Sequence, residues 1–328
     1  MTALGLSLML AVLAAIGTGL TLVYARRRRL LDLPGERRSH SVPTPRGGGL
    51  GITVAVLAGT AAAVAGAVLP PATALCFAAG LVLVAGTGWI DDHRPLSPWS
   101  RLVVQGVAGL LLGAAMLFLQ WHWAWALLGC AAVPVLVNVW NFMDGIDGIA
   151  TSQAVIALAC FALLAPAPVD GVAWAAAAAC LGFLPYNFPR ARIFLGDVGS
   201  GTLGYLLAAT GTWAAAALAA EGAGGRVLLL VLPLSAFMVD ASATLLRRVA
   251  HGERWWLPHV SHLYQRWAAS GAGHVSVTRA YALFSLLAGC LAYVANAPGT
   301  VSAVIVVAAW LLLAGVIWGL LGRRLHLP

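Results

Sequence analysis

Lysine is absent from this chain of 328 residues, and all 19 basic residues are arginines. Charged residues of both signs make up only 9% of the sequence, whereas 61% of it is hydrophobic and the mean hydropathy is +0.90. This apolar fraction is far above that of soluble domains. No polar stretch is long enough for a second globular domain. The composition therefore predicts an integral membrane protein with one domain over 1–328.

Cysteine is also scarce and scattered. The five cysteines lie far apart within apolar runs and form no C-x-x-C pair, which argues against a disulfide framework. The arginines are not interleaved with aromatic residues on a soluble fold, so the basic composition does not indicate a nucleic-acid partner.

Apolar runs of about the length needed to cross a bilayer recur along the whole chain. The basic cluster follows the first run instead of preceding it, which indicates an uncleaved first span with its N-terminus outside. The sequence predicts an all-α polytopic bundle of about 11 transmembrane helices, at 3–24, 48–69, 72–90, 101–120, 124–140, 149–166, 170–186, 201–220, 226–246, 279–296 and 300–321.

The arginines support this topology independently. With the N-terminus outside, 18 of the 19 arginines fall on the inner side, and only Arg226 falls outside. Such an asymmetry is what the positive-inside rule expects of cytoplasmic loops. It places the C-terminus in the cytoplasm and makes 247–278 the longest cytoplasmic loop, which we expect to recognise substrate.

Carboxylates are costly in such an apolar chain, yet five aspartates form three clusters at the ends of apolar runs. These are Asp91-Asp92, Asp144 with Asp147 in NFMDGIDG, and Asp197 in FLGDVGSG. All three clusters fall on the predicted inner side. A membrane protein that gathers this much negative charge needs a cation, which indicates a metal-assisted enzyme.

Each cluster also has a plainer interpretation that stays open. Asp91 and Asp92 end a predicted helix, where the dipole disfavours anions by roughly 0.3–1 kcal/mol. Asp144 and Asp147 are expected on one face of a helical turn, either at a solvated helix start or sharing a cation. Asp197 either caps the next helix or, with its glycines, helps to bind a phosphate.

Other polar residues extend these clusters. Asn138 and Asn141 lie upstream on the Asp144 face, and Asp240 lies inside an apolar run, where an acid is functional by default or pairs with a polar neighbour. Carboxylate oxygens beside phosphates favour Mg²⁺ or Mn²⁺ over zinc.

Four histidines lie in the 247–278 loop. His259 and His262 are three residues apart and suit contact with phosphate or substrate, interfacial packing being the alternative. For His251 and His274 we expect an interfacial position.

Four motifs in order resemble one family. G-W-I-D-D (88–92), N-V-W-N-F-M-D-G-I-D-G-I-A (138–150), F-L-G-D-V-G-S (194–200) and H-V-S-H-L-Y-Q-R (259–266) are similar to those of the polyprenyl-phosphate N-acetylhexosamine-1-phosphate transferases, glycosyltransferase family 4. The stretch S-H-S-V-P-T-P-R-G-G-G (39–49) and the H-L-Y-Q-R form look most like the branch that initiates O-antigen synthesis.

The resemblance implies a reaction in the bacterial cytoplasmic membrane, with the active site on the cytoplasmic face. A UDP-N-acetylhexosamine and undecaprenyl phosphate, with Mg²⁺, would give lipid-diphosphate sugar and UMP. The oligomeric state is left open, a homodimer included.

The resemblance also implies roles, residue by residue. Asp197 matches the metal-binding aspartate, Asp91 and Asp92 match an acidic pair near the lipid phosphate, and Asn141, Asp144 and Asp147 match the nucleotide-side motif. His259 and His262 match the late histidine motif, and we add Asn138, Asp240, Arg266 and Arg46 as substrate-binding candidates. Tyr264 stands where relatives carry histidine, so that histidine's role is not carried over. The pentapeptide translocase subtype is less expected because its histidine run is missing.

Two other classes remain as alternatives at this point. Intramembrane prenyltransferases and CDP-alcohol phosphotransferases also hold Mg²⁺ between aspartates, but their motifs do not continue in this chain. A cation-coupled transporter would place its acids near the bilayer midplane, whereas these aspartates lie at one face.

Overall fold

The computed structural model describes residues 3–33, 42–254, 256–257, 259–297 and 302–325. Within these ranges the chain forms α1 (Ala3–Arg28), α2 (Leu50–Ala65), α3 (Pro71–His93), α4 (Pro98–Phe118), α5 (Trp123–Met143), α6 (Ile149–Leu164), α7 (Val169–Asn187), α8 (Gly196–Ala220), a 3₁₀ helix (Gly224–Leu234), α9 (Ser235–Ala250), α10 (Leu263–Trp267), a π-helical turn (Ala268–Ala272), α11 (Gly273–Ala295) and α12 (Ala303–Arg324).

Nine helical segments of the described chain are long and apolar enough to cross a bilayer. Two further apolar helices, α2 and α6, have 16 residues each, or about 24 Å at 1.5 Å per residue, which is short of a hydrocarbon core of roughly 30 Å. The protein is thus a multi-pass membrane protein. The count of 11 crossings stays a prediction for the two short helices.

Two short extended segments depart from the all-α expectation. Strands β1 (Leu31–Asp32) and β2 (Thr44–Pro45) pair antiparallel between α1 and α2. The residue before a proline is biased toward extended backbone, and Thr44 precedes Pro45 within a segment that also contains Pro43. This local preference, which span counting does not register, favours the strand.

Helix α8 lies at the centre of the bundle and packs against α2, α3, α5, α6 and α7. Small residues let neighbouring backbones approach it closely, as is common between membrane helices. A Cβ placed on Gly204 would lie 2.5 Å from the Cα of Val137 in α5, and one on Gly80 of α3 would lie 2.3 Å from the Tyr205 hydroxyl. These contacts bring the first turn of α8 to the last turns of α3 and α5.

The predicted 247–278 loop is much shorter in the structure. Helix α9 continues to Ala250, and from Leu263 onward the chain is helical again. A tertiary contact explains the early helix start. The buried Asp240 carboxylate accepts hydrogen bonds from the backbone N–H groups of Leu263 (2.9 Å) and Tyr264 (3.2 Å), the first residues of α10. Among the described residues, the non-helical connection is therefore confined to 251–254, 256–257 and 259–262.

Candidate active site

The C-terminal end of α5 meets the first turn of α8 through a polar contact. Asn141 Nδ2 donates hydrogen bonds to Asp197 Oδ1 at 2.8 Å and to Ser200 Oγ at 3.2 Å. Two of the motifs recognised in the sequence therefore share one site. Ser200, which sequence reasoning passed over, lies one turn beyond Asp197 and could have been found from helical periodicity.

Arg101 of α4 connects the first and third aspartate clusters. Its Nη1 lies 3.1 Å from Asp91 Oδ2 and 3.3 Å from Asp197 Oδ2, and the two carboxylates approach within hydrogen-bonding reach of each other. From sequence, Arg101 was predicted only to mark the inner side of the membrane. Arg101 lies in the first turn of the helix that follows Asp91-Asp92, and this position could have indicated that it lies near them.

Asp92 has a different environment from its neighbour Asp91. Its side chain is 2% exposed, and it accepts hydrogen bonds from the backbone N–H groups of Asp197 (3.1 Å) and Val198 (3.2 Å). Arg46 donates to the Asp92 carbonyl oxygen and lies 3.9 Å from its carboxylate. The unfavourable dipole at the end of α3 is offset, because the same carboxylate caps the N-terminus of α8.

The glycines of FLGDVGSG serve close packing. Gly196 has φ +75°, and a Cβ there would lie 2.6 Å from Asp92 Oδ2. A Cβ on Gly49 would lie 2.1 Å from the Cα of Gly199. Since Asp92 already accepts from two first-turn amides of α8, the alternative of a phosphate site at this helix N-terminus is not supported.

The expectation that Asp144 and Asp147 share a helical face is wrong. Helix α5 ends at Met143 and α6 begins at Ile149, so both aspartates lie in the non-helical connection 144–148. Gly148 explains the break, because it has φ +74° and its N–H donates to Asn187 Oδ1 at 2.9 Å. Residues 144–148 therefore form a fixed turn between α5 and α6, which we call the DGIDG loop.

Within the DGIDG loop the two carboxyl groups have different partners. Burial raises the pKa of Asp144 to about 7, and the negative charges of Asp92, Asp147 and Asp32 add to this shift. Asp147 Oδ1 lies 3.4 Å from His274 Nδ1 on α11. His274, for which an interfacial position was predicted, thus directs its ring at the loop.

A small cleft opens beside these residues, between α3, α4, α5 and α8. Arg101, Asn141 and Asp197 line one part of it. The lining continues into the helical bundle with Asn138, whose Nδ2 donates to Gln105 Oε1 at 2.6 Å. The remaining lining residues are small or apolar: Val84, Thr87, Gly88, Val104, Val137 and Gly201.

The late histidines form a pair that faces α5. The ring centroids of His259 and His262 are 4.8 Å apart, and His262 stacks on Phe142. Burial, reinforced by His262 and two arginines, lowers the pKa of His259 to about 4, so this ring is neutral near pH 7. His262 is 2% exposed. Arg266 lies in the last turn of α10, four residues further on.

Tyr264, the departure from the family pattern, is fully buried. Its hydroxyl donates to the carbonyl oxygen of Phe142 at 3.0 Å. Position 264 therefore supports the end of α5 in this chain. Of the motif at 39–49, residues 39–41 lie outside the described part of the chain.

Asp240 was proposed as a substrate-binding residue, but the protein itself surrounds it. Besides the two α10 amides, its carboxylate accepts from Tyr281 Oη (2.8 Å), Thr244 Oγ1 (3.2 Å) and Trp318 Nε1 (3.3 Å). Asp240 is 1% exposed. These contacts indicate that it joins α9, α10, α11 and α12, which agrees with the alternative that this acid pairs with polar neighbours; its binding of substrate stays a prediction.

The donor set around Asp197 fits a hard divalent cation. Asp91 and Asp197, the two carboxylates that share Arg101, and the neighbouring Asn141 amide can supply oxygen ligands. Among the described residues, no group of three or more His, Cys, Asp or Glu side chains is arranged to hold a metal. Mg²⁺ sites in proteins commonly use one or two carboxylates together with substrate phosphates, and the pair Asp91 and Asp197 fits this pattern.

Comparison with known proteins identifies relatives of this chain. Residues 74–215 match the family model described as glycosyl transferase family 4. The decaprenyl-phosphate N-acetylglucosaminephosphotransferase of Mycobacterium leprae is 32% identical, with 86% of this chain and 80% of that protein covered. The probable undecaprenyl-phosphate N-acetylglucosaminyl 1-phosphate transferase of Bacillus subtilis is 28% identical, with 74% and 71% covered.

A third relative marks another branch. The phospho-N-acetylmuramoyl-pentapeptide-transferase of Moorella thermoacetica is 35% identical, with 51% of this chain and 61% of that protein covered. These relatives favour the phosphoglycosyl transferase interpretation over the prenyltransferase, CDP-alcohol phosphotransferase and transporter alternatives. The chain belongs to glycosyl transferase family 4, as a membrane-embedded phosphoglycosyl transferase that moves an N-acetylhexosamine 1-phosphate to a polyprenyl phosphate.

Proposed function

We propose that this enzyme transfers N-acetylglucosamine 1-phosphate from UDP-N-acetylglucosamine to undecaprenyl phosphate or decaprenyl phosphate, and so begins the synthesis of a cell-envelope polysaccharide. The relatives that are similar over most of the chain carry this sugar in their names. The observation that carries the proposal is the convergence of Arg101, Asn141 and Asp197 at one part of the intramembrane cleft, where Arg101 also binds Asp91. Whether the product feeds O-antigen stays a prediction.

The cleft suits the lipid substrate. Its apolar lining within the membrane-spanning bundle can pack against the first isoprene units, while Arg101 presents a guanidinium group at the polar part. Arginine is suited to phosphate because its planar donors match phosphate oxygens. We therefore assign the lipid phosphate to the Arg101 side of the site and the nucleotide to the side of the DGIDG loop.

The chemistry is an in-line displacement at phosphorus. A lipid phosphate oxygen attacks the β-phosphorus of the UDP-sugar, the new P–O–P bond forms, and the bond from the β-phosphorus to the α–β bridging oxygen breaks. UMP leaves with that oxygen. A phosphate monoester is already nucleophilic near pH 7, so alignment and charge neutralisation matter more than a base.

Asp91 and Asp197 would hold Mg²⁺, which supplies neutralisation of the diphosphate when it is bound. Asp92 keeps the first turn of α8 in place, so that Asp197 is directed toward Asp91. Asn141 fixes the rotation of the Asp197 carboxylate. Mn²⁺ has the same preference for oxygen ligands.

We further propose that the site lies at the cytoplasmic face of the membrane. Eighteen of the 19 arginines fall on that side if the 11-span topology holds, and Arg46 and Arg101 lie at the site itself. A reporter fused after Pro328 tests the side. Green fluorescent protein should fluoresce there, and a periplasm-dependent phosphatase should be inactive; the reverse pattern would refute the topology.

The activity is tested with purified protein, undecaprenyl phosphate, Mg²⁺ and a panel of UDP-amino sugars. We expect UMP release and a lipid-linked product with UDP-N-acetylglucosamine. Product with a different UDP-amino sugar alone would replace the proposed sugar and keep the reaction. No UMP release with any donor in the panel would refute the proposal.

A further inference from the structure

The first turns of α11 contact the DGIDG loop at one aspartate. His274 Nδ1 lies 3.4 Å from Asp147 Oδ1 and 3.5 Å from the Asp147 backbone nitrogen. One helical turn further, Thr278 Oγ1 donates to the Asp147 carbonyl oxygen at 2.8 Å. The side chain, the amide and the carbonyl of one loop residue are thus all contacted by α11.

We propose that His274 and Thr278 are positioning residues for the nucleotide sugar, which act by fixing the DGIDG loop. This inference rests on the proposed function, because its effect is expected in the use of UDP-N-acetylglucosamine. Neither residue belongs to the motifs that carry the family resemblance.

The histidine can hold Asp147 in either neutral tautomer. With its proton on Nδ1, the ring donates to Asp147 Oδ1; with the proton on Nε2, Nδ1 accepts from the Asp147 N–H. His274 can therefore hydrogen-bond the loop whichever of its two ring nitrogens carries the proton. An asparagine side chain can place an amide group near the position of Nδ1, and leucine cannot form either hydrogen bond.

A second contact fixes the other end of the same segment. The Tyr264 hydroxyl donates to the carbonyl oxygen of Phe142, and a Cβ on Gly145 would lie 2.2 Å from that hydroxyl. Asp144 lies between the two attachment points, at Phe142 and at Asp147. The stretch from α10 to α11 therefore contacts the backbone on both sides of Asp144.

The segment from 263 to 295 also connects this support to the rest of the bundle. Tyr281 of α11 donates to Asp240 at 2.8 Å, and Asp240 accepts from the first amides of α10. Because one buried carboxylate joins both helices, α10 and α11 hold the loop as one unit. Loss of one contact to the DGIDG loop should shift the loop while α10 and α11 stay packed in the bundle.

The test uses the full-length enzyme in detergent with both substrates varied. We compare His274→Leu, His274→Asn, Thr278→Val and Thr278→Ser. His251→Asn is the matched control, because His251 is an exposed histidine whose Nδ1 hydrogen-bonds the carbonyl oxygen of Arg247 at 2.8 Å. Thermal unfolding of each variant reports whether it is folded.

We expect His274→Leu and Thr278→Val to lower kcat/KM for UDP-N-acetylglucosamine by roughly tenfold or more, as losses of supporting contacts commonly do. KM for undecaprenyl phosphate should stay unchanged. His274→Asn, Thr278→Ser and His251→Asn should remain within about threefold of the native enzyme.

A double-mutant cycle gives the decisive comparison. If His274 acts through the Asp147 carboxylate, His274→Leu should cause little further loss in an Asp147→Ala background, where that carboxylate is missing. Additive losses, equal changes in KM for both substrates, or native kinetics of both His274→Leu and Thr278→Val would overturn the proposal. Inactivity of the native enzyme with every UDP-sugar would instead refute the proposed function, so the two failures are distinguishable. If His274→Leu does not fold, Thr278→Val decides alone.

Discussion

The side-chain amide of Asn141 donates a 2.8 Å hydrogen bond to the carboxylate of Asp197, a residue 56 positions further along the chain. The contact joins the end of α5 to the start of α8. Arg101 completes the group by contacting both Asp197 and Asp91. Three helix ends and one arginine thus form a compact polar site within a very apolar protein, and the following predictions depend on it.

Asp197→Asn should abolish turnover, with a loss of at least about a thousandfold, because the amide removes the negative charge that faces Asp91 and the cation site. The protein should stay folded, since Asn141 can still hydrogen-bond the new side chain. UMP release measures the loss. Asp170→Asn, at the start of α7, is the control, and near-native turnover of Asp197→Asn would refute the metal assignment.

Asp92→Asn should destabilise the protein more than Asp91→Asn. Both carboxylate oxygens of Asp92 accept from backbone amides of α8, so an NH₂ group at one of them leaves a buried donor without an acceptor. Such a defect costs about 1–3 kcal/mol. Thermal unfolding in detergent compares the two variants. Equal midpoints would mean that Asp92 is not the structural member of the pair.

Arg101→Met should raise KM for undecaprenyl phosphate by roughly tenfold or more, because the guanidinium group faces the cleft. It also removes the positive charge between Asp91 and Asp197, so the half-saturating Mg²⁺ concentration should fall. Arg101→Lys should retain part of the lipid affinity. Initial rates over a grid of lipid and Mg²⁺ concentrations measure both effects, and an unchanged lipid KM would contradict the assignment.

Gly88→Ala should inactivate the enzyme and destabilise it. A Cβ at position 88 would lie 2.3 Å from the carbonyl oxygen of Asp197 and 2.5 Å from the backbone nitrogen of Val198, and overpacking of this kind typically costs about 1–3 kcal/mol. Gly86→Ala on the same helix has nothing within 4 Å of its Cβ and should keep native activity. If the two variants behave alike, close packing at Gly88 is not what positions Asp197.

Asp144→Asn should change the pH dependence of stability. The pKa of Asp144 is raised to about 7 in the folded protein, so the folded state binds more protons than the unfolded state between about pH 4 and 7. This contribution is present at pH 4 and is lost as the pH rises through 7. The variant's thermal midpoint, relative to the native protein, should therefore be higher at pH 8 than at pH 5 without divalent metal. A constant difference would show that Asp144 does not titrate in this range.

Much of the candidate site could be predicted from sequence. The aspartates, Asn138 and Asn141 stood out because carboxylates and amides at the ends of apolar runs are costly unless they are used. Their assembly at one site was also expected from the arginine asymmetry. The roles within the site could not be predicted, because Asp91 and Asp92 are adjacent in sequence and differ only in which helix each one faces.

The sequence by itself determined the membrane class, the apolar segments and the family motifs, since these depend on composition and on local spacing. Only the tertiary structure decided that Arg101 bridges two aspartates, that Asp92 caps α8, that Asp240 starts α10 and that His274 contacts Asp147. Those contacts join residues from 10 to 127 positions apart. They depend on how closely the helices approach, which the glycine contacts of α8 set and which no local pattern records.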